Sequence, residues 1–178
     1  STSSSPDARH REREVHRYTV WNGPMPTAAA QASVSTGTAI KTMLQIATPS
    51  TRQIQLIAWG FSVDSLQSGV VELLQTDVAA TVIAHVAAGV QPLDPNAPPS
   101  LMTLSTTGTG YTASSEGTTA ASRVFDVEQI ASSSPGNLAY SYQFMPDERP
   151  TVAVSKFLRV RATFGTAVQL RCWVRFDE

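Results

Sequence analysis

Between Thr151 and Phe176 apolar and polar side chains take turns along the chain. Val152, Val154, Leu158, Val160 and Ala162 alternate with Lys156, Arg159 and Arg161 over most of the stretch. After Gly165-Thr166 the pattern resumes with Val168, Leu170, Cys172 and Val174. A period of two puts successive side chains on opposite faces of an extended strand, so each strand buries one face. The short turn between them makes the pair read as a β-hairpin over 151–164 and 167–176.

The rest of the chain repeats this theme in shorter runs. Thr38 to Ile46 alternates and closes on Thr48-Pro49-Ser50, Arg52 to Asp64 follows, and Val70 to Leu74 comes after Ser68-Gly69. In the second of these, Leu56 shares parity with Ile54, whereas Ile57, Trp59, Phe61 and Val63 take the other parity. Either both faces become buried there or a bulge near Gly60 re-aims the strand. Arg123 to Ile130 and Ala139 to Met145 add two more strands, while Asp77 to Ala88 fits a short helix and a strand equally. Pro92 to Gly117 is rich in Pro, Thr, Ser and Gly, with only Leu101, Met102, Leu104 and Tyr111 to anchor it, and is expected as a long loop suited to a partner contact. Seven to nine short strands with no convincing amphipathic helix predict an all-β chain, a β-sandwich of jelly-roll type.

The first twenty residues are different. Arg9, Arg11, Arg13 and Arg17 stand among Asp7, Glu12, Glu14, His10 and His16, a net charge of 4 - 3 = +1. From Tyr18 to Ile40 no charged side chain occurs, and Pro24 and Pro26 rule out a regular helix through Met25. Residues 1–37 therefore read as an extended N-terminal arm lying on a surface, and 38–178 as the sandwich domain. The Tyr18 and Trp21 rings at the junction either anchor in a partner's pocket or staple the arm to its own domain. Arg9, Arg11, Arg13, Arg17, Tyr18 and Trp21 are the expected partner-binding residues.

Chemistry is harder to find. The 178 residues carry a net charge of -1, with charged side chains at 15% against roughly a quarter in an average soluble domain, which argues against a nucleic-acid binder. Glu12 and Glu14 interrupt the arginine cluster, so phosphate binding by the arm is the weaker reading. No apolar run reaches the ~18 residues of a membrane helix and no secretory signal is expected at the start. His85 is the one histidine of the body, and Cys172 alternates with Leu170 and Val174 as an inert core thiol does. Asp64, Asp94, Asp126 and Asp147 fall at turn-like positions. Gly108-Thr109-Gly110-Tyr111-Thr112-Ala113 matches the form of a dinucleotide fingerprint, but no helix begins after it to receive a pyrophosphate. No enzyme is expected, nor any catalytic, cofactor-binding or metal-ligating set.

Ile57-Ala58-Trp59-Gly60-Phe61-Ser62-Val63-Asp64, then Val70-Val71-Glu72-Leu73-Leu74, and finally Trp173-Val174-Arg175-Phe176-Asp177-Glu178 form a pattern of an aromatic-Gly central strand, a following hydrophobic strand and an aromatic, acid-ended last strand. With Leu158-Arg159-Val160 in the penultimate strand, this resembles small structural proteins of tailed actinobacteriophages, the capsid decoration or cement type, over roughly residues 38 to 76 and 150 to 178. The resemblance implies a non-enzymatic virion protein on the outer capsid surface, bound to the major capsid protein and to copies of itself as a homo-oligomer, a trimer by preference, with no membrane and no nucleic acid as partner. Two rivals remain. A coat protein with a nucleic-acid-binding arm is one; the other is a carbohydrate-binding sandwich, with Trp21, Tyr111 or Trp173 stacking on a sugar. Against the last, these aromatics are far apart in sequence and Trp173 fits a core position.

Overall fold

Apolar alternation resolves into two antiparallel sheets that bury their facing sides against each other, as the computed structural model, which describes residues 15–25, 28–133 and 138–178, lays out. The strands are β1 (Arg17–Trp21), β2 (Val34–Ser35), β3 (Lys41–Ala47), β4 (Ile54–Val63), β5 (Gly69–Thr76), β6 (Thr81–Ala84), β7 (Val90–Pro92), β8 (Gly110–Ser115), β9 (Arg123–Ile130), β10 (Ala139–Gln143), β11 (Thr151–Val152), β12 (Phe157–Phe164) and β13 (Gln169–Asp177). One sheet runs β10-β4-β13-β1-β7, with β11 also on β4 and β2 also on β13; the other runs β6-β8-β3-β12-β5-β9. The core between them holds Trp59, Phe61, Leu56, Phe176, Val174 and Tyr18 from the first sheet and Met43, Ile46, Leu73, Leu158, Val160 and Phe164 from the second. The all-β sandwich expectation holds.

Three local expectations change. The two C-terminal strands do not form a hairpin: β12 lies between β3 and β5 in one sheet, while β13 pairs β4, β1 and β2 in the other. The Gly165-Thr166 connection thus crosses from sheet to sheet, because alternation states that one face is buried and not which neighbour supplies the backbone partners. The 151–164 segment is also split, with β11 in the first sheet and β12 in the second, and Ser155 between them takes a left-handed backbone (φ 55°). The bulge lies at Ile57 itself: Phe176 faces Leu56 and Arg175 faces Ala58, leaving Ile57 as the extra residue.

Two pieces of the segment expected as an arm, β1 and β2, belong to the first sheet, while residues 1–14 lie outside the described residues. β1 pairs β13 on one side and β7 on the other, so it is an interior strand of its sheet. Its Tyr18 and Val20 are buried in the core. At Asn22 the side-chain amide takes over: Nδ2 donates to the Leu170 carbonyl and Oδ1 accepts from Cys172 N, which continues the pairing after the chain turns away. β2 then returns to the same strand opposite Leu170 and Gln169. Burial accounts for the missing charge at Tyr18 to Val20, Asn22 and Thr36, whereas Ala28 to Ala30, Ala32, Ser33, Thr38 and Ala39 are exposed along the surface. The sandwich accordingly begins at β1, not at residue 38. Between Asp77 and Ala88 the strand reading prevails, as β6 followed by a short 3-10 turn, Ala87–Gly89.

Segments 77–80 and 116–122 cover the outer face of the second sheet. β8 and β9 stand on opposite sides of β3, β12 and β5, so residues 116–122 must cross those three strands to connect them. Arg159 and Arg161 on β12 hold that crossing. Arg159, fully buried, donates from Nη1 to the Glu116 carbonyl (3.1 Å) and carboxylate (3.4 Å), and from Nη2 to the Val78 carbonyl. Arg161 donates to the Thr119 carbonyl and meets Glu72 at 3.4 Å. Thr42 Oγ1 donates to Glu116 at 2.6 Å, and Gln45 grips Ala80 through both ends of its amide.

Candidate functional site: the chain-end surface and an aromatic face

The residues expected to bind a partner divide into two groups. Arg9, Arg11 and Arg13 lie outside the described residues. Arg17, Tyr18 and Trp21 are the ends and middle of β1, where alternation sends them to different places. Arg17 points outward beside Asp177, with Nε to Oδ1 at 2.7 Å and Nη2 to Oδ2 at 3.1 Å, a forked pair that raises the guanidinium pKa. Tyr18 is no exposed anchor: it is buried, stacks on Phe176 at 5.8 Å and donates its hydroxyl to the Pro98 carbonyl at 2.6 Å. Trp21 is half-buried on the outer face, 6.2 Å from Trp173. It staples β1 to its own sheet.

The start of β1 gathers a small apolar surface. His16 and Glu178 exchange backbone hydrogen bonds, Leu93 N donates to the Arg17 carbonyl, and Leu101 N donates to the Glu178 carboxylate at 3.1 Å. Val15, Leu93 and Leu101 belong to these connections, and each is at least half exposed. The 92–109 stretch reaches this end as an ordered path. Met102 is buried in the core, Thr103 N donates to the Ala47 carbonyl, and the Thr109 hydroxyl accepts from Ala47 N. The Gly108 to Ala113 motif leads into β8, a strand, and Gly110 is needed there because a Cβ would stand 2.2 Å from the Ile83 carbonyl.

On the outer face of the first sheet, register places Ser62 and Gly60 of β4 between Ala139 and Ser141 of β10 on one side and Arg171 and Trp173 of β13 on the other. Ser62, Ala139, Ser141, Arg171 and Trp173, with Trp21, line an open trough of about 360 Å³, and Gly60 lies buried beside them. Trp173 therefore faces outward, not into the core: β13 buries Leu170, Cys172, Val174 and Phe176 on the opposite side. Its ring lies against Gly60, where a Cβ would come within 2.8 Å of Cζ2, and the Arg175 guanidinium sits 5.2 Å from the ring centroid.

Elsewhere the titratable groups serve the fold. His85 is buried, its Nε2 2.7 Å from the Trp21 carbonyl and its ring 4.9 Å from that of Tyr111; burial lowers its pKa, against the pull of that carbonyl. Cys172 is buried and its pKa is pushed well up by desolvation. Asp126, expected in a turn, is on β9, where Oδ2 accepts from Trp59 Nε1 (2.9 Å) and from the Tyr140 hydroxyl (2.8 Å), joining the two sheets. Burial and that carboxylate together raise the Tyr140 pKa. A wider cleft of about 690 Å³ opens beside this triad between β9 and β10, lined by Arg123, Phe125, Tyr142 and Arg149 among others. Among the described residues no three His, Cys, Asp or Glu side chains gather as a metal site, and no helix is long and apolar enough to cross a membrane. Comparison with protein-family models, with curated proteins and with solved structures found no match to this chain.

Proposed function

We propose that this chain is a non-enzymatic structural protein of a phage virion, a decoration protein that binds the outer capsid surface and reinforces contacts between capsomers. The observation that carries the reading is the chain-end surface. Val15, Leu93 and Leu101 expose apolar side chains at one place, and the fourteen residues before Val15, with Arg9, Arg11 and Arg13, are covalently bound to begin there. Exposed apolar groups beside a segment with charges of both signs, Arg9, Arg11 and Arg13 among Asp7, Glu12 and Glu14, suit a protein partner, since the apolar groups supply burial and the charges set register. The strand order β3-β12-β5-β9 over β4-β10 is compatible with jelly-roll wiring. In this reading the major capsid protein and neighbouring copies of the chain are the partners, a trimer is the favoured assembly, and the virion surface is its location.

The test is co-sedimentation of the purified chain with actinobacteriophage heads assembled without it, alongside light scattering of the chain alone. Saturable binding at a fixed ratio to the capsid subunit is expected. Leu93→Asp with Leu101→Asp should abolish it while leaving the fold intact. Undiminished capsid binding by that folded double variant removes the chain-end surface from the reading, and absence of binding by the parent chain removes decoration altogether.

A further inference from the structure

The trough on the outer face of the first sheet plays no part in the chain-end docking proposed above, and its chemistry is of another kind. Its floor is built from small residues, Ser62, Ala139 and Ser141, beside Gly60, which the Trp173 ring covers. Small residues alone would leave a shallow groove and nothing more. Here one side is walled by two indoles, Trp173 and Trp21, held together at 6.2 Å, and the far end carries Arg171. The hydroxyls of Ser62 and Ser141 are exposed and make no hydrogen bond within the described residues. Arg171 commits Nη2 to the Gln31 carbonyl (2.6 Å) and has no carboxylate partner among the described residues, which leaves further donors for a ligand. We infer that this trough binds a saccharide, with the C–H groups of a pyranose ring against the indole carbons that line it and its hydroxyls on Ser62, Ser141 and Arg171.

The pairing of surfaces favours this ligand over others. A pyranose has one apolar face and a rim of hydroxyls, which matches aromatic carbon beside unengaged hydroxyl and guanidinium groups. A lipid chain would leave those polar groups without partners. A nucleic acid would want a longer row of cations along its backbone; on this face Arg171 and Arg175 are two, the latter held over the Trp173 ring, and Arg17 is neutralised by Asp177. At about 360 Å³ the trough falls within the range of roughly 300–1,000 Å³ for small-molecule sites. Trp21 and Trp173 come from opposite ends of the chain and meet only because β1 pairs β13 in register at those two residues.

The test is titration of the full chain, followed by indole fluorescence, with neutral hexose, N-acetylhexosamine and uronate oligosaccharides in turn. Saturation by at least one class is expected, with a dissociation constant of about 0.1–1 mM. Trp173→Ala should weaken it by about tenfold or more. Ser141→Gln, at an exposed edge-strand position, should fill the trough and weaken binding to a similar degree with an unchanged melting temperature. The inference is overturned if none of the three classes saturates, if folded Ser141→Gln binds as the parent does, or if a single-stranded oligonucleotide occupies the trough in preference to every saccharide. None of these outcomes depends on capsid binding.

Discussion

Two neighbouring strands carry the same sequence pattern and end in opposite environments. β12 sends Arg159 and Arg161 to the outer face of one sheet, and β13 sends Arg171 and Arg175 to the outer face of the other. Arg159 and Arg161 are buried beneath segments 77–80 and 116–122 and hold carbonyls of that cover. Arg171 stays exposed, and Arg175 is half-buried over an indole. Alternation sets the face to which a side chain points, whereas a distant stretch of chain decides whether that face meets water. The consequence is energetic. A buried guanidinium left without its partners, or partners left without it, costs several kcal/mol, while an exposed one is nearly neutral.

The sharpest test of this contrast is a pair of alanine substitutions. Arg159→Ala strands the Glu116 carboxylate and the Val78 carbonyl and should cost about 3–5 kcal/mol in urea unfolding. Arg171→Ala should stay within about 0.5 kcal/mol of the parent. An Arg159→Ala loss as small as that of Arg171→Ala would mean that the cover over β12 opens readily in solution. The next largest effect belongs to Gly60→Ala on the exposed face. The new Cβ would stand 2.8 Å from both Trp173 Cζ2 and the Tyr140 carbonyl, and should cost about 1–3 kcal/mol. Adding Trp173→Ala should recover only part of that, because the backbone oxygen remains.

A smaller effect comes from His85, which supports the Trp21 end of the exposed face. Its pKa is lower in the folded chain than in the unfolded one, so the unfolded state binds more protons as the pH falls. Stability should therefore decline below about pH 6.5. In His85→Gln that part of the decline should be missing from the pH dependence of the urea midpoint. Arg17→Gln belongs at the same small end as Arg171→Ala. The Arg17–Asp177 pair is forked but its arginine is 39% exposed, and solvent screening keeps the expected thermal-denaturation loss below about 1 kcal/mol. A loss matching that of Arg159→Ala would erase the distinction between the two faces.

Much of the candidate site was visible as residues and little of it as an arrangement. Trp21 and Trp173 could be singled out as aromatics able to stack on a sugar, but their contact depends on the pairing of β1 with β13 across most of the chain. Tyr111, the third of that group, packs instead on the buried ring of His85. Tyr18 was misread because an aromatic beside charged residues looks like an exposed anchor. One residue of phase separates it from Arg17, and that was enough to send it into the core. The signal that could have found this was the alternation of Arg17, Thr19 and Trp21 with Tyr18 and Val20, a strand pattern inside the segment read as an arm.

By itself the sequence determined the all-β class, most of the strands and the two-sided character of each, since these follow from local alternation and from the turn residues between runs. It also marked Cys172 as a core thiol. The tertiary structure alone decided which sheet each strand joined, that β1 and β2 complete the first sheet, and that one arginine-bearing face is covered while the other is open. The reason is that backbone hydrogen bonds between strands are nearly blind to side-chain identity. Pairing is selected by the burial of the whole set of apolar faces at once, which no single segment encodes.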